Sequence, residues 1–180
     1  MSALNSVEDV TKTLASQAYI ADRGLSTSVF LALSLGRPLL LEGEPGVGKT
    51  EISKALAAAF NVELIRLQCY EGLDEAKALY EWNYRKQLLR IQAGEGSGTS
   101  WSDLEDDIFT EDFLLSRPLL EAIRADEPVV LLIDEVDRVE VETEALLLEV
   151  LSDWQVSVPE MGTVSARRIP LVFLTSNATR

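Results

Sequence analysis

Apolar residues recur at helical spacing at Val7, Val10, Leu14 and Ala18, and a second helical pattern runs from Ser26 to Leu35 until Gly36 and Pro38 stop it. Both precede the first strand. Leu39-Leu40-Leu41, a short apolar run between Pro38 and Gly43, reads as that strand, and Thr50 to Phe60, rich in alanine, reads as a helix after a glycine-bearing turn. Val62 to Leu67 alternates, whereas Val129 to Ile133 and Leu171 to Leu174 are continuous apolar runs, the mark of strands buried on both faces of a parallel sheet. The helical pattern from Glu142 to Leu151 supplies a crossover. The expectation is an α/β chain, a doubly wound sandwich on a mainly parallel sheet, filling 1–180 as one domain.

Two stretches read as insertions on that frame, one near 70–107 and one at 155–166. Within the first, Ala93 to Asp103 carries Gly94, Gly96 and Gly98 among serines and a threonine and reads as a mobile loop. Gln155 to Ala166, turning at Pro159-Glu160-Met161-Gly162, reads as a hairpin. Tyr80, Trp82 and Tyr84 either pack against their own sheet or contact a partner.

Composition narrows the class. With 47% hydrophobic residues, 180 positions are enough for a sizeable core. Purely apolar runs such as Val129 to Ile133 are far too short to span a bilayer, and Met1 to Ser6 lacks the features of a signal peptide. Cys69 has no second cysteine to pair with and the chain has no histidine, which suits a reducing, cytoplasmic setting. A formal charge of −14 makes nucleic acid a poor partner, because the average field repels phosphates.

The chemistry begins at Gly43-Glu44-Pro45-Gly46-Val47-Gly48-Lys49-Thr50, which fits G-x-x-x-x-G-K-[ST]. Glycines in such a loop let successive backbone N–H groups converge on phosphate oxygens at a helix N-terminus, while the lysine reaches the outer phosphates and the threonine hydroxyl holds Mg²⁺. The nucleotide-binding set is therefore Gly43, Glu44, Pro45, Gly46, Val47, Gly48, Lys49, Thr50 and Glu51, with Asp134 beyond the loop.

Val129 to Ile133 ends in Asp134-Glu135. If this strand neighbours the strand before the loop, both carboxylates emerge at the sheet edge where α/β folds bind ligands. Asp134 would then hold Mg²⁺ with Thr50, and Glu135 would act as general base toward water. Asn177, just past the third apolar run, has an amide able to bond both a terminal phosphate and the attacking water, or else it is a turn asparagine. Lys49, Glu135 and Asn177 are the candidate catalytic residues.

These elements, in this order, resemble the AAA+ superfamily of P-loop NTPases. Longer strings resemble its MoxR branch, and within it the subgroup near carbon monoxide dehydrogenase accessory ATPases: Arg37-Pro38-Leu39-Leu40-Leu41-Glu42, Leu67-Gln68-Cys69-Tyr70-Glu71-Gly72-Leu73-Asp74, Tyr80-Glu81-Trp82-Asn83-Tyr84, Arg117-Pro118-Leu119-Leu120 and Leu147-Leu148-Glu149-Val150-Leu151-Ser152-Asp153. The resemblance implies an ATP hydrolase using Mg²⁺, a homo-hexamer acting as a chaperone on a protein client, beside a partner with a von Willebrand factor A domain. It makes Lys49 and Thr50 the Walker A pair, Asp134 and Glu135 the Walker B pair and Asn177 sensor 1, and it places the 155–166 hairpin on a central pore surface. It points to Tyr19, Ile20 and Ala21 for the adenine. The sequence stops close after Asn177, before the family's arginine finger, helical lid and sensor 2, and Arg180 stands too near to serve as the finger. A chain without those parts is expected to bind nucleotide weakly and turn it over poorly. A nucleotide-switched binding module and a nucleic-acid motor stand as alternatives. No N-K-x-D string selects guanine, so a small GTPase fits poorly, and the Glu after Asp134 suits water activation better than transfer to a kinase substrate.

Overall fold

A computed structural model describes residues 4–94 and 107–177. Helix α1 (Val7–Ser16) starts on Ser6, whose hydroxyl accepts from the Asp9 N–H at 3.1 Å. It ends before the expected Ala18, whose backbone has φ 59°, because the N–H groups of Ala18 and Tyr19 bond back to Ala15 and Leu14 and turn the chain. Helix α2 (Arg23–Leu35) begins ahead of Ser26 because the Asp22 carboxylate caps it, accepting from the Leu25 N–H at 2.7 Å. Gly36, with φ 59°, closes it.

The chain continues through β1 (Leu39–Glu42), α3 (Lys49–Phe60), β2 (Glu63–Gln68), α4 (Glu75–Ala78), β3 (Tyr80–Trp82) and α5 (Tyr84–Gly94). After 107 come β4 (Leu114–Ser116), α6 (Pro118–Arg124), β5 (Val129–Asp134), α7 (Val141–Asp153), β6 (Gln155–Val158), β7 (Gly162–Ser165) and β8 (Leu171–Ser176). Strands β1, β8, β5 and β2 form one sheet in that order, all parallel. The strand of Asp134 therefore does not neighbour β1: β8 lies between them, and this corrects the adjacency on which the sequence argument was conditioned. All four strands still share one carboxyl edge, since Glu42 is opposite Ser176 and Gln68 is opposite Asp134.

Each central strand is buried on both faces, which is why β5 is apolar from Val129 to Ile133. Val130 and Leu132 of β5, with Leu171 and Phe173 of β8, pack against Val10, Leu14, Val29, Ile52 and Leu56 of α1, α2 and α3. Leu131 and Ile133, with Val172, face Leu119, Leu120 and Ile123 of α6 and Leu147 of α7. The result is the expected helix-sheet-helix sandwich.

Two antiparallel ribbons stand apart from the main sheet. The predicted hairpin is β6 with β7, Val156 opposite Val164. The other joins β3 to β4, Trp82 opposite Leu114. Here the aromatic trio divides: Trp82 is buried and meets Phe109 edge to face with ring centroids 5.2 Å apart, whereas Tyr84 is 66% exposed. Of the glycine-rich loop at 93–103, only Ala93 and Gly94 are described, and they end α5; the remainder falls outside the described residues.

Cys69 follows β2 and is fully buried, with its N–H donating to the Asp134 carbonyl at 2.8 Å. Burial first, then the carboxylates of Asp134, Asp137 and Glu135, push its thiol from 9.0 up to about 12. The folded thiol thus holds its proton more tightly than the unfolded one. Its contribution to stability is whole below the unfolded value and is lost as pH rises through 9.0 toward about 12.

Three expectations follow from this packing. Phe173→Ala, at a fully buried position of a central strand, should cost about 3–5 kcal/mol in a urea unfolding titration. Leu40→Ala on the half-exposed β1 should cost less than about 1.5 kcal/mol in the same titration. At pH 8 about one folded molecule in 10⁴ carries the thiolate, so a thiol-selective disulfide reagent should label Cys69 only as fast as the chain opens, and at once in denaturant. Rapid labelling of the native protein would contradict the burial.

Candidate functional site

The turn from β1 into α3 is built on Gly46 and Gly48, whose φ values of 84° and 92° strain any side-chain-bearing residue. A β-carbon added at Gly48 would stand 3.7 Å from the Tyr19 ring. Gly48 caps α3, so the loop delivers the unpaired amides and positive end of a helix to the carboxyl edge of the sheet. Lys49 arches back over this loop. Its Nζ donates to the carbonyls of Gly43 at 2.7 Å and Glu44 at 2.8 Å and to Asn177 Oδ1 at 3.1 Å, which ties the loop to the end of β8.

Asp134 is only 4% exposed, and a carboxylate so placed needs partners. Thr175 Oγ1 donates to its Oδ1 at 2.5 Å, Thr50 Oγ1 donates to the same oxygen at 3.2 Å, and the Arg66 guanidinium pairs with its Oδ2. Burial alone would raise its pKa. The bonds from Thr175, Arg66 and Thr50 and the Arg66 charge outweigh burial and hold it below the usual carboxylate value.

Glu135 sits in the left-handed region, φ 59°, with its N–H donating to Thr175 Oγ1 at 2.9 Å. One hydroxyl thus fixes the Asp134 side chain and the Glu135 backbone together. The Glu135 carboxylate accepts from Gln68 Nε2 at 3.1 Å and pairs with Arg138 Nε at 2.9 Å. Asn177 is oriented through its N–H, which donates to Asp137 Oδ1 at 3.1 Å.

A cleft of about 470 Å³ joins these groups. Of the residues expected from sequence, Pro45, Gly46, Gly48, Lys49, Thr50, Glu51, Asp134, Glu135 and Asn177 line it. Gly43 and Glu44 take part through the carbonyls that hold Lys49, while Val47 is a 61% exposed side chain on the loop's outside. The Glu51 carboxylate is turned to Lys54 at 2.6 Å and so stands on the rim. Next to the cleft, sharing Gly48 and Glu51 with it, is a groove of about 520 Å³ lined by Tyr19 and by Ile20, which is 96% exposed. Tyr19 donates from its hydroxyl to the Gly48 carbonyl at 3.3 Å. Ala21, the third residue expected there, packs instead against the α1–α3 core.

Thr175, Arg66 and Arg138 line the cleft, Gln68 reaches Glu135 from beside it, and none of the four was singled out from sequence. Thr175 carries a signal, a hydroxyl that follows four apolar residues in a buried strand. Arg66 and Gln68 alternate with buried Ile65 and Leu67, but only the β2–β5 pairing reveals that their outward side meets the acidic pair.

The donor set suits a hard divalent ion: the Thr50 hydroxyl lies 3.2 Å from Oδ1 of Asp134, so a hydroxyl and a carboxylate whose second oxygen is Oδ2 meet at one point of the cleft. Among the described residues no group of three or more acidic, histidine or cysteine side chains could hold a metal without help. Mg²⁺ here would draw its remaining ligands from phosphate and water, as is usual for that ion.

Comparison with known proteins agrees with this arrangement. Residues 38–178 match the family model described as AAA domain, dynein-related subfamily. Over 134 residues the chain is 28% identical to YehL, an uncharacterized protein of Escherichia coli K12, covering 74% of this chain and 32% of YehL. A crystal structure of a candidate ATPase from Cytophaga hutchinsonii superposes with a TM-score of 0.63 at 19% identity, over 97% of this chain and 44% of that one, which establishes the shared fold. The chain therefore spans less than half the length of either relative. Among the described residues no helix is long and apolar enough to cross a membrane. With its glycine loop, acidic pair and Asn177 on one edge of a parallel sheet and most of its length matched, the chain belongs to the AAA domains of the dynein-related subfamily, a family of nucleotide-binding ATPases.

Proposed function

We propose that this chain binds ATP with Mg²⁺ in the cleft at the sheet edge, hydrolyses it, and uses the cycle to remodel a protein client. The observation that carries the reading is the continuous contact from Thr50 through Asp134 and Thr175 to Glu135, with Lys49 and Asn177 closing the other side. Roles follow from chemistry. Lys49, a point charge on a flexible stem, would leave the loop carbonyls for the β- and γ-phosphates. Thr50 and Asp134 would hold Mg²⁺, which neutralises charge developing on the phosphate oxygens. Glu135 would take the proton from water as its oxygen attacks the γ-phosphorus and the bond to the β-phosphate oxygen breaks. Asn177 would orient that water and the γ-phosphate, and Tyr19 and Ile20 would flank the adenine.

The finer reading follows the sequence resemblance to the MoxR branch. On it, the 180 residues are the α/β core of a homo-hexameric, cytoplasmic ATPase, with the β3–β4 region and the β6–β7 hairpin as its two insertions. Its client would be a protein undergoing maturation, in the subgroup near carbon monoxide dehydrogenase a metallocofactor enzyme. A protein with a von Willebrand factor A domain would work beside it. Sedimentation with and without ATP should show assembly driven by nucleotide; a monomer in both would remove the hexamer from this reading.

A second reading, a nucleotide-switched binding module with slow turnover, is favoured by one contact set. Glu135 is held by Gln68 and Arg138, so its carboxylate would have to part from the Arg138 guanidinium before it could reach an attacking water. Equal thermal stabilisation by ATP and a slow-hydrolysing analogue, without phosphate release, would select it.

Lys49→Ala should weaken ATP binding about a hundredfold, the scale of two charge-assisted hydrogen bonds, in a titration with a fluorescent nucleotide. Glu135→Gln in the intact natural protein should bind ATP normally and lose about 10²-fold or more of kcat, as expected for a general base. Normal turnover by that variant would remove Glu135 from the base role.

A further inference from the structure

Arg66 stands on β2, and its guanidinium reaches across to β5 to pair with Asp134 Oδ2 while also donating to Gln68 Oε1. Oδ1 of the same carboxylate is already engaged by Thr175 and Thr50. Oδ2 is therefore the oxygen left for a metal ligand bond, and Arg66 covers it. The two ends of this ion pair differ: the Asp134 side chain is 6% exposed, whereas that of Arg66 is 49% exposed and has solvent to turn into.

We propose that Arg66 is a built-in counter-ion for Asp134 that Mg²⁺ displaces, so that this residue sets how strongly nucleotide binding depends on the metal. The inference rests on the nucleotide-binding reading above. Its physical basis is competition for one lone-pair direction. A nearly buried carboxylate without a cation would repel the phosphates of metal-free ATP, and Arg66 removes that repulsion. For the same reason the metal must break an ion pair to bind, which raises the concentration it needs. Freed by that exchange, the guanidinium remains at the mouth of the phosphate cleft.

The arrangement makes a signed prediction for Arg66→Gln, which keeps a hydrogen-bonding side chain and removes the charge. With a fluorescent ATP analogue at fixed concentration, the Mg²⁺ midpoint for nucleotide binding should fall about tenfold, the scale of one close charge pair. Binding in EDTA should weaken in the same variant. Arg66→Lys, which restores the charge without the planar fork, should return the midpoint most of the way toward wild type. A structural role alone would lower the melting temperature and move neither the midpoint nor its rescue by lysine. An unchanged midpoint overturns the proposal, and so does a raised midpoint or lost binding in Mg²⁺, which would mean that Arg66 grips the phosphates alongside the metal. If Arg66→Gln does not fold, the lysine variant decides on its own: a midpoint below the wild-type value supports the proposal, and one at or above it sinks it. Failure of the wild-type protein to bind nucleotide at all would instead sink the function proposed above.

Discussion

A carboxylate at the end of a fully buried strand has to be compensated, and Asp134 organises the molecule around that requirement. Its partners come from three separate pieces of chain: Thr175 from β8, Thr50 from the first turn of α3, and Arg66 from β2. Strand order supplies them. Because β8 lies between β1 and β5, its polar end is interposed between the glycine loop and the acidic pair, and because β2 flanks β5 on the other side, an outward arginine falls within reach. A parallel sheet with aligned carboxyl ends gives the protein a fixed rim on which charges can be set without disturbing the apolar layers beneath.

The same economy shows in Lys49. Its bonds to Gly43 and Glu44 carbonyls hold the loop closed on itself, and its contact with Asn177 adds a link from loop to β8. Phosphate ligation would exchange these bonds for stronger charge-assisted ones, so the loop, β8 and the chain after it are mechanically joined through one ammonium group. Asn177 in turn is steered by Asp137, in the segment directly after the acidic pair. A ligand seated against Lys49 would thus have a short covalent and hydrogen-bonded route to both strand ends.

The chain's layered architecture was legible because its signals are local and redundant: glycines at the loop, three apolar runs of strand length, alanine-rich α3, and Pro159 to Gly162 at the hairpin turn. The residue types of the cleft were legible for the same reason, since Lys49, Thr50, Asp134, Glu135 and Asn177 each end or begin an apolar element. What escaped was everything decided by which strands sit side by side. β8 between β1 and β5 is a tertiary choice that no periodicity encodes, and with it went Thr175, Arg66 and Gln68, whose meaning depends on a neighbour distant in sequence. Helix limits were missed where a side chain rather than a period set them, as Asp22 does for α2. Ala21 was assigned to the base by position and turns inward because α1 ends early.

Glu135 carries a further consequence. Its left-handed backbone costs a side-chain-bearing residue about 1–2 kcal/mol that glycine would not pay. The hydroxyl of Thr175 holds the amide there, so the penalty is borne locally and the acid is presented beyond the strand end instead of being carried on with the pleat. A programme of stabilising substitutions guided by backbone comfort alone would choose glycine at this very position, and would thereby remove the carboxylate that meets Gln68 and Arg138.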